Sequence, residues 1–559
     1  MNNIKTEFCT IQGKWGRRQV RYLISGTGPI IFLLHQSPKS ADEYKPQISQ
    51  WASDFTIIAP DTPGYGGSDP LNAENISIQD IAEATIELAD SLGIDQFGLY
   101  GFHTGASISI AIGHQFPKRI SSIACNGVVV LEDSALENIM ENYLPPFIPQ
   151  WDGGHLTWLW SRMREQLIFF PWHERTKEAR MKFDISPPEI LHENTLEVLR
   201  SGDHYRAAYG AAFQYRNENF VPQLTIPNLI TAASLDPLSA SLKTLMPAST
   251  SVIEESLDHQ AALEKSRKHL LNFPALSHYK KQESQCLDGD LLNSIIHCKE
   301  GDIRLKKNFN NQEESLLIIH PAGGSSETID YLTNPISKSK PLISIDLPGH
   351  GESFKNFNIN NLMQLNTRII NQVFDYHSTQ SASIISFNDS CSLSIQLALK
   401  SNTIVNQLIL IEPWFLDQNE IDDYLEYGLP EIELDWAGGH LLKYWHMIRD
   451  SKLFWPWYKR KASAIIWEQP NIDENQLQIE LTELIRANIH WRGNLREHLL
   501  YHAEEKLKDL TLPLFIAAKD SHPLIKKYQS LAQELKNCTL IELPENINDW
   551  GEIILDKTQ

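Results

Sequence analysis

Leu99-Tyr100-Gly101-Phe102-His103-Thr104-Gly105-Ala106 decides how this chain folds. The apolar run Phe97 to Tyr100 reads as a short buried strand. The small-residue run Ala106, Ser107, Ile108, Ser109, Ile110, Ala111 reads as the start of a helix. Between them stands Gly-x-His-x-Gly, a turn that lifts one side chain above the end of a sheet. The flanking glycines let the helix backbone pass close to neighbouring strands. The lifted residue is His103, where Ser, Cys or Asp is the ordinary nucleophile. His, Asn and Asp tolerate positive φ better than other non-glycine residues, so the turn survives a change at its tip.

Outward from this turn the pattern alternates. Residues 8–34 read as two or three strands, closed by Ser25-Gly26-Thr27-Gly28 and ending in Ile30-Ile31-Phe32-Leu33-Leu34 before His35-Gln36-Ser37-Pro38. A second apolar strand, Phe55 to Ala59, leads into Pro60-Asp61-Thr62-Pro63-Gly64-Tyr65-Gly66-Gly67-Ser68. A helix follows with Ile81, Ala84, Ile86, Leu88, Ala89 and Leu92 near helical spacing, then the turn, then a strand from Ile123 to Leu131. Continuous apolar strands alternating with helices predict a parallel sheet covered on both faces. From about 133 to 221 the strands stop, and Trp-rich helices read as an inserted helical cap. The sheet resumes at Pro227 to Ala232. Asp236, a short strand near Ser251-Val252-Ile253, and His259 at the start of a last helix follow.

Composition bounds the rest. A chain of 559 residues predicts two or three domains, and 42% apolar residues supply their cores. A net charge of −21 argues against nucleic-acid or anionic-membrane partners, which need clustered Lys and Arg. Cys9, Cys125, Cys286, Cys298, Cys391 and Cys538 show no C-x-x-C spacing, fitting a reducing compartment and neither a disulfide framework nor a zinc site. The N-terminal residues carry no apolar signal core and no long apolar run occurs, so a cytoplasmic protein is expected.

The pattern then repeats. His35, Asp61, Trp151 and Pro171 find counterparts in His320, Asp346, Trp436 and Pro456, each displaced by 285 residues. A constant displacement through sheet and cap predicts a tandem duplication. Domains are expected at 1–272 (cap about 133–221) and 292–559 (cap about 418–507), joined by a linker at 273–291 and packed as an internal pseudo-dimer. Both caps share a Trp-x-Gly-Gly-His-Leu segment, Trp160/Trp445, Arg164/Arg449, Pro171-Trp172/Pro456-Trp457 and Arg175/Arg460.

Each half resembles the α/β-hydrolase superfamily. The first is most similar to its capped epoxide-hydrolase and haloalkane-dehalogenase branch, on His35-Gln36-Ser37-Pro38, Asp61-x-Pro-Gly-x-Gly-x-Ser and Gly101 to Ala106. The resemblance implies two α/β domains, each a mostly parallel sheet flanked by helices with an inserted cap. It places His103 in the nucleophile seat and the backbone N–H groups of Gln36 and Thr104 in the oxyanion hole. Asp236 falls at the acid position and His259 at the general-base position, with Asp236 orienting His259. It implies no diffusible cofactor and a small-molecule substrate.

Three readings of His103 stand open. It is a nucleophile or water-activating base in hydrolysis of a small to medium apolar ester, epoxide or related electrophile. Alternatively, His103 and His259 shuttle protons without hydrolysis, as in a lyase or cofactor-free oxygenase. Or the site is inert and the protein a binding module or scaffold. The second copy argues for decay on its own side: Ser386 and Ser390 replace the two glycines, Asn388 holds the seat, and His522 stands at the acid position. The first copy keeps both acid and imidazole, which favours the hydrolytic reading there. His35, His155, Arg164 and Tyr205 are the candidate substrate-binding residues. A metal reading needs His35, His103, His155, His259 and Asp236 to converge. No closely spaced His pair supports it, and no metal is expected.

Overall fold

The computed structural model describes residues 4–277, 279, 290–358, 360–400 and 404–557. Most of the expected 273–291 linker, with Cys286, lies outside the described residues. The chain divides into two compact units. One comprises Met1–Ile148, His155–Ser284 and Trp436–Gly438; the other comprises Pro149–Gly154, Gln285–Asp435 and Gly439–Gln559.

In the first unit the strands are β1 (Lys5–Gly13), β2 (Gly16–Gly26), β3 (Ile30–Leu34), β4 (Thr56–Pro60), β5 (Phe97–Phe102), β6 (Ile120–Asn126), β7 (Asn228–Ala233) and β8 (Ser251–Ser256). They form one sheet in the order β1-β2-β4-β3-β5-β6-β7-β8. Pairings from β4 through β8 are parallel, while β2 runs antiparallel to both β1 and β4. All five residues of β3 are buried, as a central parallel strand covered on both faces requires.

The helices are α1 (Lys45–Trp51), α2 (Ile78–Ser91), α3 (Thr104–Gln115), α4 (Asp133–Asn142), α5 (Gly154–Glu165), α6 (Pro188–Ser201), α7 (Tyr205–Gln214), α8 (Asn217–Phe220) and α9 (His259–Asn272). Ser77 starts α2 with a reciprocal cap, its hydroxyl accepting from Asp80 N while Asp80 accepts from Ser77 N. No strand lies between Asn126 and Asn228 among the described residues, and α4 to α8 occupy the interval expected for a cap. The strand expected through Leu131 stops at Asn126, because Gly127 turns the backbone to φ +71°.

The close approach that demands small residues at the turn is visible at Gly105. A Cβ there would stand 1.8 Å from the carbonyl oxygen of Leu34 on β3, and one at Gly101 would stand 2.2 Å from Gly105 O. A buried ion pair pins the neighbouring loops. Asp61 accepts from Arg21 Nη1 (3.1 Å), Ala41 N (2.8 Å) and Gly67 N (2.8 Å).

In the second unit β9 (Leu292–His297), β10 (Asp302–Lys307), β11 (Glu314–Ile319), β12 (Leu342–Ile345), β13 (Ser381–Phe387), β14 (Val405–Ile411), β15 (Leu514–Ala518) and β16 (Cys538–Glu542) form a sheet. Its order is β9-β10-β12-β11-β13-β14-β15-β16, the same sequence of steps as in the first unit. Arg304 and Asp346 stand where Arg21 and Asp61 do, with Ser326 N donating to Asp346 Oδ1 at 2.8 Å. Among the described residues no helix is long and apolar enough to cross a membrane.

Candidate active site

A parallel sheet of this order gathers function at the carboxyl ends of its strands. Ser37 follows β3, His103 follows β5, Asp236 follows β7 and His259 follows β8. His103 adopts φ 50° and ψ −108°, a conformation that costs about 1–3 kcal/mol in a non-glycine residue and is held by the structure around it. Its N–H donates to Asn126 O (2.9 Å), its carbonyl accepts from Ala106 N (2.9 Å), and its ring lies on Phe102 with centroids 4.1 Å apart.

The acid pairs with this histidine. His103 Nε2 and Asp236 Oδ2 are 2.9 Å apart, and Leu238 N fixes the other carboxylate oxygen at 2.8 Å. Burial works to raise the Asp236 pKa. The charge and hydrogen bond of His103 outweigh it, so the carboxyl sits below its ordinary value. With Nε2–H donated to Asp236, the lone pair of His103 is on Nδ1. The ring borders a cavity of about 200 Å³ with Ser37, Thr104, Val129, Tyr143, Gln166, Phe170, Tyr209 and Phe213 on its wall.

His259 does not pair with Asp236 as the family pattern implied. Its Nδ1 lies 3.4 Å from Asn126 Nδ2 and its ring packs on Phe102 at 5.1 Å. Desolvation, then repulsion from His103, lowers its pKa, with Asp236 opposing through space. The physical reason for the changed pairing is reach. A histidine at the tip of the turn extends to the acid and occupies the position in which a smaller residue would leave Asp236 to a second imidazole. Gly127 makes room for it, since a Cβ there would stand 2.2 Å from His103 Cδ2.

The oxyanion side is corrected by one residue. Gln36 borders the cavity, but its backbone N–H and its side-chain amide both donate to the Glu43 carboxylate at 2.9 Å. The amide beside Thr104 is that of Ser37, which donates to Thr104 Oγ1 at 3.3 Å. Thr104 itself opens α3, and the first-turn N–H groups of a helix have no intrahelical acceptor.

The four expected substrate contacts lie away from the cavity wall. His35 is buried, its Nδ1–H donated to Gln36 O (2.9 Å) and its Nε2 accepting from Thr62 N (2.8 Å), so it ties two loops together. His155 packs on Phe147. Tyr205 donates to Pro145 O at 2.6 Å. Arg164 points elsewhere, because a two-residue step turns a helix by about 200° and Arg162 has the inward place. Its guanidinium lies over the rings of Tyr143, Trp172 and Tyr205. Sequence reading thus missed Ser37, Tyr143, Gln166 and Tyr209. Only Tyr209 carried a local signal, one helical turn beyond Tyr205. Among the described residues no group of three or more His, Cys, Asp or Glu is disposed to hold a metal.

The second unit differs at each of these points. Asn388 keeps the turn conformation at φ 48°. Pro321 stands at the place of Gln36 and has no N–H. Asp389, at the place of Thr104, accepts from Ala322 N (3.3 Å) and pairs with buried His498 Nδ1 at 2.7 Å. His522 is stacked on Tyr528, and burial pushes its pKa down to about 4.

Comparison with known proteins matches residues 29–156 to the alpha/beta hydrolase fold family. Over that span the chain is similar to the α/β-hydrolase superfamily. An uncharacterized hydrolase of Saccharomyces cerevisiae is 34% identical over 125 residues, 22% of this chain and 43% of that protein. Haloalkane dehalogenase 2 of Mycobacterium tuberculosis is 29% identical over 115 residues, 20% of this chain and 40% of that protein. The chain thus spans less than half the length of these relatives. Epoxide hydrolase A from Mycobacterium thermoresistibile is 17% identical, aligned over 50% of this chain and 100% of that one with a TM-score of 0.37.

Proposed function

We propose that the first unit is a hydrolase of small to medium apolar esters or related electrophiles, with His103 as its reactive group and Asp236 as the group that orients it. The observation that carries this reading is the 2.9 Å His103–Asp236 pair bordering an aromatic-walled cavity. In the base-assisted route, His103 Nδ1 takes a proton from water as the hydroxide oxygen bonds to the substrate carbonyl carbon. The carbonyl π pair moves to oxygen, beside the helix-start N–H of Thr104. Collapse expels the alkoxide, which takes the proton back from Nδ1. Asp236 stays ionised and stabilises the transient imidazolium. If Nδ1 attacks the carbonyl carbon itself, the ester C–O bond breaks and the alkoxide leaves, taking a proton from solvent. An acyl-imidazolium forms, still bound to Asp236 through Nε2–H. Water then adds to the acyl carbon, the C–N bond breaks to free Nδ1 and the acid, and the water's proton returns to solvent.

The second unit is proposed as a degenerate copy from a tandem duplication. The shared strand order and the constant displacement support duplication. Ala322 N–H, at the place of Ser37, is committed to Asp389, which is itself closed on His498, and this supports loss of chemistry.

The test is hydrolysis of p-nitrophenyl esters of graded acyl length by wild type and His103→Ala. General acid–base catalysis by one side chain contributes roughly 10²–10⁴-fold, so a loss of that order in kcat is expected. Equal rates in both proteins refute the assignment. A burst of p-nitrophenol with a mass shift on His103 marks the covalent route, and its absence marks the base route.

A further inference from the structure

Arg162 is 2% exposed and lies in the cap on α5. Its Nη1 donates to Gln166 Oε1 at 2.9 Å and lies 3.3 Å from Met163 Sδ, while Nε and Nη2 have no hydrogen-bond partner among the described residues. Its other neighbours are three aromatic faces with centroids at 5.4–5.8 Å. No carboxylate of the described residues pairs with it. A buried cation is ordinarily paired, since taking a charge out of water is costly unless an anion and hydrogen bonds compensate.

The surroundings state what is missing. A guanidinium only donates, so Gln166 must turn its carbonyl oxygen to Arg162. That leaves the Gln166 amide N–H groups for the cavity it borders. The Tyr143 and Tyr209 hydroxyls, 3.2 Å apart, share one hydrogen between them and leave one proton to donate. Both tyrosines are on the same cavity wall. This part of the cavity therefore offers donors with a fixed positive charge one side chain behind them. The second unit lacks the device: displaced by 285, Arg162, Gln166 and Tyr143 become Met447, Ser451 and Gly428.

We infer that the first-unit cavity takes substrates carrying a carboxylate, received by Gln166 and the Tyr143–Tyr209 pair with Arg162 as the counter-charge behind them. The fate of that substrate rests on the hydrolytic reading above, but its binding does not. Arg162 is on this account a positioning residue, acting through Gln166 and through its field.

The experiment is calorimetric titration at pH 8 of three carboxylates, each against its neutral amide: acetate, phenylacetate and 4-phenylbutyrate. Titrations are run on wild type, Arg162→Met, Arg162→Lys and His103→Ala. At least one acid is expected to bind wild type and His103→Ala tenfold or more tighter than its amide. Arg162→Met should bring that pair within twofold, and Arg162→Lys should restore part of the preference. The Tm of ligand-free Arg162→Met should equal or exceed that of wild type, because the variant removes an unpaired buried charge and fills its place with the residue found at 447. No preference for any acid in wild type, including no binding at all, overturns the inference. So does a preference unchanged in Arg162→Met. Because binding is also read on His103→Ala, failure of the hydrolytic reading leaves this result interpretable.

Discussion

Asp236→Asn tests the site at its most specific contact. The substitution keeps size and shape and removes the charge that faces His103 Nε2 at 2.9 Å. Both partners are sheltered, with side chains 25% and 9% exposed, so the interaction is only partly screened. A hydrogen bond to a charged group contributes roughly 1.5–3 kcal/mol. Here it is needed most when His103 carries a second proton, so most of it comes off the transition state. At about 1.36 kcal/mol per factor of ten, kcat should fall by about 10- to 160-fold, with KM little changed. Stability gives a second readout. The Asp236 pKa is lower in the folded chain than in the unfolded one, so the native state binds fewer protons there. The stabilisation it gives is complete above about pH 4, the unfolded value. It fades as pH falls through the folded value. The stability difference between wild type and Asp236→Asn should therefore be constant from neutrality to about pH 5 and narrow below it. Ester-hydrolysis kinetics and urea unfolding at stepped pH measure both. An Asp236→Asn protein within twofold of wild type in kcat would refute the reasoning.

Two further outcomes follow from contacts already described. His259→Gln should cost less than about threefold in kcat, since His259 makes no hydrogen bond to the acid; a triad base would cost about 10³-fold or more, and steady-state kinetics distinguishes these. Arg21→Met leaves Asp61, 0% exposed, without its cation and should lower unfolding stability by about 3–5 kcal/mol, read from urea midpoints, whereas a loss below about 1 kcal/mol denies the pair a structural role.

The fold was legible because its determinants are periodic and local. Buried runs such as Ile30–Leu34, the glycines at 101 and 105, and the recurrence of motifs 285 residues on all act through backbone geometry that neighbouring residues dictate. His103, Thr104 and Asp236 were legible for the same reason, being fixed by position at strand ends. The pairing was not legible. Whether Asp236 meets His259 or His103 depends on which ring is long enough to reach it across three strand ends, a tertiary distance that spacing does not encode. The cap was least legible, because its inward face depends on how five helices pack. A one-turn error, Tyr205 for Tyr209, moves a side chain off the cavity wall, and a two-residue error, Arg164 for Arg162, misses the guanidinium that lies over Tyr143 behind that wall.

Gly127 explains how one sheet order can hold a histidine–carboxylate pair at the turn in one unit and exclude it in the other. In the first unit the backbone after β6 turns at φ +71° with no side chain, and His103 occupies the space a Cβ would need. In the second unit Glu412 stands at the same step after β14, at φ 47°, with burial raising its carboxyl to about 6. Its N–H donates to Ala517 O on β15 at 2.9 Å, as Gly127 N–H donates to Thr231 O on β7 at 2.8 Å. A glutamate there and a ring reaching toward the acid strand from the turn compete for one volume. Asn388, shorter than histidine, is compatible with Glu412 where His103 is not. The two replacements therefore depend on each other, and restoring histidine at 388 alone would not rebuild the first unit's pair.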